Sequence, residues 1–349
     1  MGTGAEVLRL TQERPHLGFP VVRAHSNEAG FLQCPDPDRN KRVLLGNAES
    51  NPILPIVIST AACLPNKYTG HMEVPQTHLV GPVAQVLMIP SNRAFSAEEI
   101  RGLVRASPLV AIFGGSHPGP GMVGGIAPTH QKERDGGYDT DRDWIEFHMI
   151  REAIRLGKPL MGVCRGFQTI LTMLCADIEG IPTPEDMDKL GKILVPAAQH
   201  HRAEPDAPYR THPLQETLPE DMRHLCPWIA GFEPVSHHSI QVPVSALRQT
   251  ASNGQTFEAN LRKRGWLVAA VDGTPEKLDQ DRSVEVLIHV NEGGDVDGYL
   301  VQSHPEKPAP GRPQQKQWYA QHRWSQEIVQ RAIERQHRVK GQVYTNGGA

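Results

Sequence analysis

The sequence predicts an α/β protein with a mostly parallel sheet that is covered by helices on both faces. Short apolar runs rich in β-branched residues alternate with segments that carry helix-start signals or apolar residues at helical spacing. One apolar run, residues 158–161, passes directly into Gly162-Val163-Cys164-Arg165-Gly166 and then into a segment of helical character. This alternation of strands and helices is typical of parallel sheets between two helical layers.

Local signals predict the elements of the first half. Residues 1–16 are polar and are predicted to be a flexible N-terminus. Ser96 and Glu99 form a capping-box pattern, which predicts a helix that ends near Ala106. Residues 143–156 carry apolar side chains at helical spacing and stop at a glycine, which predicts a second helix. Strands are predicted at residues 17–22, 53–59, 85–90 and 110–113, and a turn-rich insertion or loop at residues 31–52.

The second half is less regular. Residues 179–215 are rich in proline, histidine and charged side chains, and we expect them to form a long surface excursion. Residues 266–271 are a predicted strand, and residues 272–298 are an expected insertion whose apolar run at 284–290 could add a strand pair. A Pro-rich linker at 307–315 precedes a predicted C-terminal helix at 317–337. This pattern does not indicate two independent domains.

Composition excludes several classes of protein. The net charge is only −3 over 349 residues, which gives no reason to expect a nucleic-acid or membrane surface. No apolar run approaches the roughly 20 residues of a membrane span, and the N-terminus lacks a signal-peptide pattern. The five cysteines are an odd, scattered set, which favours a reducing cytoplasm over a disulfide scaffold. We therefore expect a globular cytoplasmic protein, and a homo-oligomer is left open.

The cysteine between two glycines has the features of a nucleophile elbow. Gly162 and Gly166 allow a tight turn and leave space around the thiol of Cys164. A helix that begins directly after the cysteine stabilises a thiolate through its dipole and its N-terminal N–H groups. The N–H of Arg165 is then placed to bind an oxyanion. A buried structural cysteine in a Gly-flanked turn is the alternative interpretation.

A second segment supplies partners for such a nucleophile. The run Tyr299-Leu300-Val301 is a plausible strand end, and Gln302-Ser303-His304-Pro305-Glu306 follows it. His304 is a candidate base for Cys164, and Glu306 is a candidate to orient the imidazole. Residues two apart in an extended segment point the same way, so the pair can stay together. The order nucleophile, histidine, acid argues against an α/β-hydrolase, in which the acid precedes the histidine.

These two segments together resemble the class I glutamine amidotransferase superfamily. The form Cys164-Arg165-Gly166-Phe167-Gln168 is closest to its γ-glutamyl hydrolase branch, typified by γ-glutamyl-γ-aminobutyrate hydrolase. Supporting matches are found at residues 110–116, 139–143 and 235–240. Matching pieces extend from residue 17 to residue 335, with long insertions between them.

The resemblance implies a flavodoxin-like three-layer sandwich with inserted loops and strands. It implies one catalytic domain at residues 17–306, with insertions near 31–52, 179–215 and 272–298, and a linker and helix at 307–349 that pack on the same domain. It also implies roles for further residues. The N–H of Gly115 would be the second oxyanion donor, and Gln168, His238 and Ser239 would bind substrate. The alternative for Gln168 is that it only satisfies the hydrogen bonds of the oxyanion strand.

Three departures from the family pattern concern specificity. Ala176-Asp177 stands where a Gly-Gly is usual, and Ser239 stands where a glutamine follows the histidine pair. Ser303 precedes His304 where tryptophan or phenylalanine is common, so we expect a more open pocket beside that histidine. These changes leave the Cys164, His304 and Glu306 triad intact.

The expected function is therefore a cysteine-dependent hydrolase that cleaves a γ-glutamyl amide through a γ-glutamyl thioester. No cofactor is expected, and no metal, because the histidine pairs lack a metal-ligand spacing. Cys175 is expected in the core. Two alternatives stay open: the glutaminase component of an amidotransferase that passes ammonia to a partner synthetase, and a non-catalytic binding protein on the same fold. The sequence does not identify the amine.

Overall fold

The fold is given by a computed structural model that describes most of the chain. The described residues are 21–23, 31–33, 43–46, 56–61, 71–73, 79–80, 83–90, 96–115, 118, 140–175, 194–196, 210–236, 238, 240–251, 253–274, 282–305 and 315–346.

Short strands and helices alternate over the described residues. The strands are β1 Val21–Arg23, β2 Phe31–Gln33, β3 Val43–Gly46, β4 Ile56–Ala61, β5 His71–Glu73, β6 Gln85–Pro90, β7 Val110–Ile112, β8 Leu160–Val163, β9 Val195–Pro196, β10 Arg210–Thr211, β11 Leu214–Glu216, β12 Val235–Ser236, β13 Ile240–Gln241, β14 Trp266–Asp272, β15 Val284–Val290 and β16 Val296–Val301. The α-helices are α1 Ala97–Ala106, α2 Thr140–Arg155, α3 Arg165–Cys175, α4 Phe257–Lys263 and α5 Gln315–Asn346. Glu220–Leu225 and Val244–Arg248 are 3₁₀ helices.

The chain forms two compact units, and each collects segments that are distant in sequence. The first unit holds Met1–Ala111, Trp144–Leu160 and His322–Ala349. The second unit holds Ile112–Asp143 and Met161–Gln321. The strand order is β1-β3-β6-β4 in the first unit and β16-β15-β14-β11 in the second, where β16 also pairs with β8.

Local capping and a buried serine organise the first unit. Ser96 and Glu99 form the predicted capping box at the start of α1: the Glu99 N–H donates to Ser96 Oγ at 3.2 Å, and the Ser96 N–H donates to Glu99 Oε2 at 2.7 Å. At the other end of α1, Ser107 is buried and accepts from the N–H of Ile58 at 3.1 Å. Its hydroxyl also donates to the carbonyl of Leu109 at 2.6 Å, so one side chain ties β4 to the start of β7.

The C-terminal helix α5 packs within the first unit over part of its length. The hydroxyl of Ser325 donates to the carbonyl of Leu79 at 2.7 Å, and the amide of Gln336 donates to the carbonyl of Ala106 at 2.8 Å. Ile328 is fully buried on the same helix. The predicted helix is therefore present. It begins at Gln315, two residues before the predicted start, and it continues past residue 337 to Asn346.

The second unit contains the strands that carry the candidate site. β8 pairs with β16 in parallel, with Met161 opposite Tyr299 and Val163 opposite Val301. β16, β15, β14 and β11 then pair antiparallel. All four residues of β8 and all six of β16 are buried, and Asp297 is the one charged residue among them.

Three regions that were predicted to be insertions contain strands that belong to sheets. Within residues 31–52, β2 pairs with β5, and β3 pairs with both β1 and β6. Within residues 179–215, β11 pairs with β14. Within residues 272–298, β15 lies between β14 and β16 and is mostly buried. β15 coincides with the apolar run at 284–290, which was expected to be able to add a strand pair. The short strands β2, β3 and β11 were not predicted, because the pairing that stabilises them is made with partners elsewhere in the sequence.

The central strands run mostly parallel and helices flank the sheet, so the predicted flavodoxin-like α/β class is confirmed. No helix in the described part of the chain is both long and apolar enough to span a membrane.

Candidate active site

Cys164 lies at a sharp turn between the buried strand β8 and helix α3. Its φ is 54°, and it is the one non-glycine residue with positive φ among the described residues. This left-handed conformation costs about 1–2 kcal/mol for a residue with a side chain. The N–H of Cys164 donates to the carbonyl of Val301 at 2.8 Å, and its carbonyl accepts from the N–H of Gln168 at 3.1 Å. The strand, the turn and the first helical bond therefore hold Cys164 in a strained geometry.

The two glycines around Cys164 are required by packing. A Cβ on Gly166 would lie 1.8 Å from the carbonyl oxygen of Ile112. A Cβ on Gly162 would lie 2.7 Å from the carbonyl oxygen of Gly166 and 2.9 Å from a methyl of Leu300. Only a hydrogen fits at either position, so α3 can begin directly against the neighbouring strand β7.

His304 follows the strand that is paired with the cysteine turn. β16 ends at Val301, whose carbonyl accepts a hydrogen bond from the N–H of Cys164. His304 is three residues further on. The N–H of His304 donates to the carbonyl of Val235 at 2.7 Å, which ties this segment to β12. His304 is buried, with 6% of its surface exposed. The backbone thus brings the His304 segment to the carboxyl end of β16, next to the turn that holds Cys164.

Arg142 holds the loop that contains Gly115. Its side chain is fully buried and donates to the carbonyl of Phe113 at 2.6 Å and to that of Gly114 at 3.1 Å. Gly115 itself has a φ of 152°, and a Cβ there would lie 2.2 Å from Nη1 of Arg142. The guanidinium occupies the space that any other residue at position 115 would need.

Arg165 is the first residue of α3, and its side chain is buried in an ion pair. Nη2 of Arg165 lies 2.5 Å from Oδ1 of Asp143, and the exposed fractions of the two side chains are 0% and 6%. The first N–H groups of a helix are outside its own hydrogen-bond ladder. The side chain of Arg165 is therefore engaged in structure, and the backbone N–H is the group that could serve chemistry.

Gln168 lies one turn into α3 and is fully buried. Its amide nitrogen donates to Oε1 of Gln302 at 3.4 Å, a weak bond between two buried amides. Gln302 directly follows β16, and its N–H donates to the carbonyl of Glu285 at 2.9 Å. Gln168 thus connects the elbow helix to the segment that leads to His304, and both of the roles considered for it stay predictions.

His238 belongs to a buried cluster that the sequence patterns did not predict. Nε2 of His238 lies 3.9 Å from Oε1 of Glu285, and Nε2 of His212 lies 3.3 Å from Oε2 of the same carboxylate. The hydroxyl of Ser236 lies 3.3 Å from Nδ1 of His238. Burial lowers the pKa of His212, but the charge of Glu285 and a hydrogen bond to it outweigh burial and raise that pKa above its ordinary value. A glutamate in the apolar strand Val284–Val290 was the signal that could have indicated this cluster.

Two further described cysteines lie in the protein interior. Cys175 and Cys226 are free and buried, as is Cys164. Burial raises the pKa of both thiols well above the usual range, and the charge of Glu216 adds to this at Cys226. The prediction that Cys175 belongs to the core is confirmed, since it has no exposed surface.

Two of the predicted site residues, Glu306 and Ser239, lie outside the described residues. Ser303, by contrast, is described and is fully buried. The more open pocket expected beside His304 stays a prediction.

The chain is similar to known proteins over part of its sequence and in its fold. Residues 76–204 match the sequence profile of the family described as Peptidase C26. No curated protein matches the chain. The glutaminase domain of Trypanosoma brucei CTPS with bound acivicin is 13% identical, with a TM-score of 0.46 over 78% of this chain and 94% of that one. A glutamine amido transferase from Methylobacillus flagellatus is 11% identical, with a TM-score of 0.42 over 80% of this chain and 94% of that one.

The Peptidase C26 match covers just over a third of the chain, and it includes the Cys164 turn, Gly115 and the pair Arg142 and Asp143. This match supports the resemblance to the class I glutamine amidotransferase superfamily and supports cysteine-dependent amide hydrolysis as the chemistry.

Proposed function

We propose that this chain is a hydrolase that uses Cys164 to cleave a γ-glutamyl amide bond. The observation that carries the proposal is the turn itself: a cysteine with a φ of 54° between a buried strand and a helix N-terminus. Backbone strain of this kind persists where the surrounding structure enforces it, and it is concentrated at functional sites. A structural cysteine would gain nothing from that conformation, which supports the catalytic interpretation over the buried-cysteine alternative.

The first half of the proposed reaction forms a thioester. His304 takes the proton of the Cys164 thiol, and the thiolate attacks the γ-carbonyl carbon of the substrate. The carbonyl electrons move to oxygen, and the N–H groups of Gly115 and Arg165 bind the resulting oxyanion. When the tetrahedral intermediate collapses, the C–N bond breaks and His304 returns its proton to the leaving amine. Glu306 orients the His304 imidazole and stabilises its charged form.

The second half hydrolyses the thioester. A water molecule gives a proton to His304 and attacks the same carbonyl carbon, and the oxyanion forms again in the same hole. The C–S bond then breaks and His304 returns its proton to the thiolate, which releases free glutamate and restores the Cys164 thiol. Gln168, His238 and Ser239 are proposed to hold the glutamyl end of the substrate. Water supplies every atom that is added, so the reaction needs no cofactor.

The test is glutamate release from a panel of γ-glutamyl amides that includes glutamine. We expect wild-type protein to hydrolyse at least one member, Cys164→Ala to be inactive, and His304→Ala to lose nearly as much as Cys164→Ala because members of one catalytic unit are not additive. Mass spectrometry after treatment with a γ-glutamyl electrophile should find one adduct, on Cys164.

Cys226→Ala is the matched control, since Cys226 is also buried and free but has no helix N-terminus or strained backbone. It should retain wild-type turnover. An adduct mainly on Cys175 or Cys226, or wild-type kcat/KM in His304→Ala, would contradict the proposal. The glutaminase component of an amidotransferase uses the same chemistry, and its requirement for a second protein distinguishes it.

A further inference from the structure

Two adjacent residues at the start of helix α2, Arg142 and Asp143, bind the two segments that carry the proposed oxyanion donors. Both residues are buried, with exposed fractions of 0% for Arg142 and 4% for Asp143. Arg142 binds the loop before Gly115, and Asp143 binds the side chain of Arg165. All these residues belong to the second compact unit. A single dipeptide therefore connects both sides of the proposed oxyanion hole.

The contact of Arg142 determines where the N–H of Gly115 points. Nη1 of Arg142 donates to the carbonyl of Gly114 at 3.1 Å. That carbonyl and the N–H of Gly115 belong to one planar trans peptide group, so they point in opposite directions. The second donor, Nη2, binds the carbonyl of Phe113 at 2.6 Å. Because two successive carbonyls are held by one rigid guanidinium fork, the peptide group cannot rotate without breaking a bond to a buried charge.

The contact of Asp143 has the corresponding effect on the other donor. The guanidinium of Arg165 lies 2.5 Å from Oδ1 of Asp143, and neither side chain has more than a small exposed fraction. Arg165 is the first residue of α3, immediately after Cys164. Anchoring its side chain fixes the rotation of the first helical turn, and with it the direction of the N–H of Arg165. It also gives the buried guanidinium of Arg165 a counter-charge.

We propose that Arg142 and Asp143 are positioning residues that align the N–H groups of Gly115 and Arg165 for oxyanion binding. This proposal rests on the function proposed above. Neither side chain contacts the reacting atoms; each acts through the backbone that it holds. Preorganised donors stabilise charge that develops in the transition state, so their alignment affects kcat more than substrate binding.

The experiment compares two reactions of the same thiol. Amide hydrolysis passes through an oxyanion, whereas alkylation by iodoacetamide does not: the thiolate forms a C–S bond and iodide leaves. In Arg142→Met and Asp143→Asn, we expect kcat for the best γ-glutamyl amide to fall about 100-fold, the effect of losing one oxyanion donor. KM and the rate of Cys164 alkylation should stay within about threefold of wild type, since neither depends on the oxyanion.

Arg142→Lys keeps the charge but cannot bind two carbonyls with a planar fork, so it should fall between wild type and Arg142→Met. It also serves as the informative variant if Arg142→Met does not fold. Arg155→Met is the matched control: Arg155 is a largely exposed arginine on the same helix, and it lies 2.7 Å from the buried carboxylate of Glu152, which also binds Arg105. Its hydrolysis rate should equal that of wild type.

Two results would overturn the proposal while leaving the proposed function intact. One is a wild-type kcat in folded Arg142→Lys and Asp143→Asn. The other is an equal loss of hydrolysis and alkylation in step with a lower melting temperature, because a purely structural role would reduce both reactions together. Inactivity of the wild-type protein towards every amide, in contrast, would remove the proposed function itself.

Discussion

At the scale of single residues, the most informative feature is the combination of strain and burial at Cys164. The residue has 4% of its surface exposed and a φ of 54°. Its backbone conformation costs energy, and the contacts that surround the turn compensate for that cost. This feature could be predicted from sequence because glycines at positions 162 and 166 indicate a tight turn whatever the rest of the fold does.

The cluster around Glu285 could not be predicted in the same way. His212, His238 and Glu285 come from three segments that are distant in sequence, and their contacts exist only when β11, β12 and β15 are assembled. The local sequence shows an isolated glutamate in an apolar run and histidines in polar loops. No spacing rule connects these signals, so the cluster becomes visible only in three dimensions.

The raised pKa of His212 predicts a pH-dependent contribution to stability. Burial lowers this pKa, but the charges of Glu285, Asp272 and Glu233 and a hydrogen bond to Glu285 raise it overall. An unfolded histidine titrates near pH 6.5. Since the folded pKa is higher, the contribution is fully present below about pH 6.5 and is lost as the pH rises through the raised value. His238, 3.9 Å from the same carboxylate, faces Glu285 as well.

We therefore expect Glu285→Gln to destabilise the protein by about 3 kcal/mol at about pH 5.5, because it removes the carboxylate that lies 3.3 Å from the buried His212. The loss should become smaller towards about pH 9. Urea denaturation at both pH values measures it. Glu258→Gln, which removes an exposed pair with Arg262, is the control and should cost less than about 1 kcal/mol at either pH. A loss that does not change with pH would refute the assignment of charge to His212.

At the scale of elements, the accuracy of prediction followed the locality of the signal. The capping box at Ser96 and the run Gln85–Pro90 were predicted with the correct bounds, since a cap and a buried β-branched run are properties of the segment itself. Strands β3 and β11 were predicted as parts of insertions, although each pairs with a strand that is distant in sequence. Their short sequences carry no strand signal of their own, and the pairing partner decides their structure.

The contact between helix α3 and strand β7 gives a prediction for the element that carries the nucleophile. We expect Gly166→Ala to lower the free energy of unfolding by about 3 kcal/mol, because its Cβ would overlap a backbone carbonyl that cannot move away. That Cβ would lie 1.8 Å from the oxygen of Ile112 and 2.6 Å from its carbonyl carbon. Chemical denaturation of the purified variant measures the change.

Gly102→Ala is the matched control for that prediction. Gly102 lies inside α1, and a Cβ there would have no atom within 4 Å. Alanine should therefore stabilise the protein by about 0.5–1 kcal/mol, since it reduces the conformational freedom of the unfolded chain and favours the helix. If both variants changed stability by the same amount, the close packing of α3 against β7 would be wrong.

At the scale of the whole molecule, the α/β class was predictable from the sequence, and the expectation of a single catalytic domain stays a prediction. Strand–helix alternation is visible along the sequence, but both compact units collect segments from distant parts of the chain. α2 contributes residues to both, with its first turn, including Arg142 and Asp143, in the second unit and the remainder in the first. A boundary inside a helix leaves no linker composition to detect.

The last prediction concerns whether the molecule works alone. A glutaminase that serves a synthetase is typically weak until its partner completes the site, whereas an independent hydrolase must preorganise its own oxyanion hole. Here the loop before Gly115 and the side chain of Arg165 are already held within the chain, by Arg142 and Asp143. We therefore expect the purified chain, with no other protein present, to release glutamate from at least one γ-glutamyl amide. The same panel should be measured with and without cell extract. Glutaminase activity that appears only with a second protein would favour the amidotransferase component. Binding of a γ-glutamyl ligand without any turnover would favour a binding protein. In both cases the alignment of the oxyanion donors made within the chain would be insufficient for catalysis.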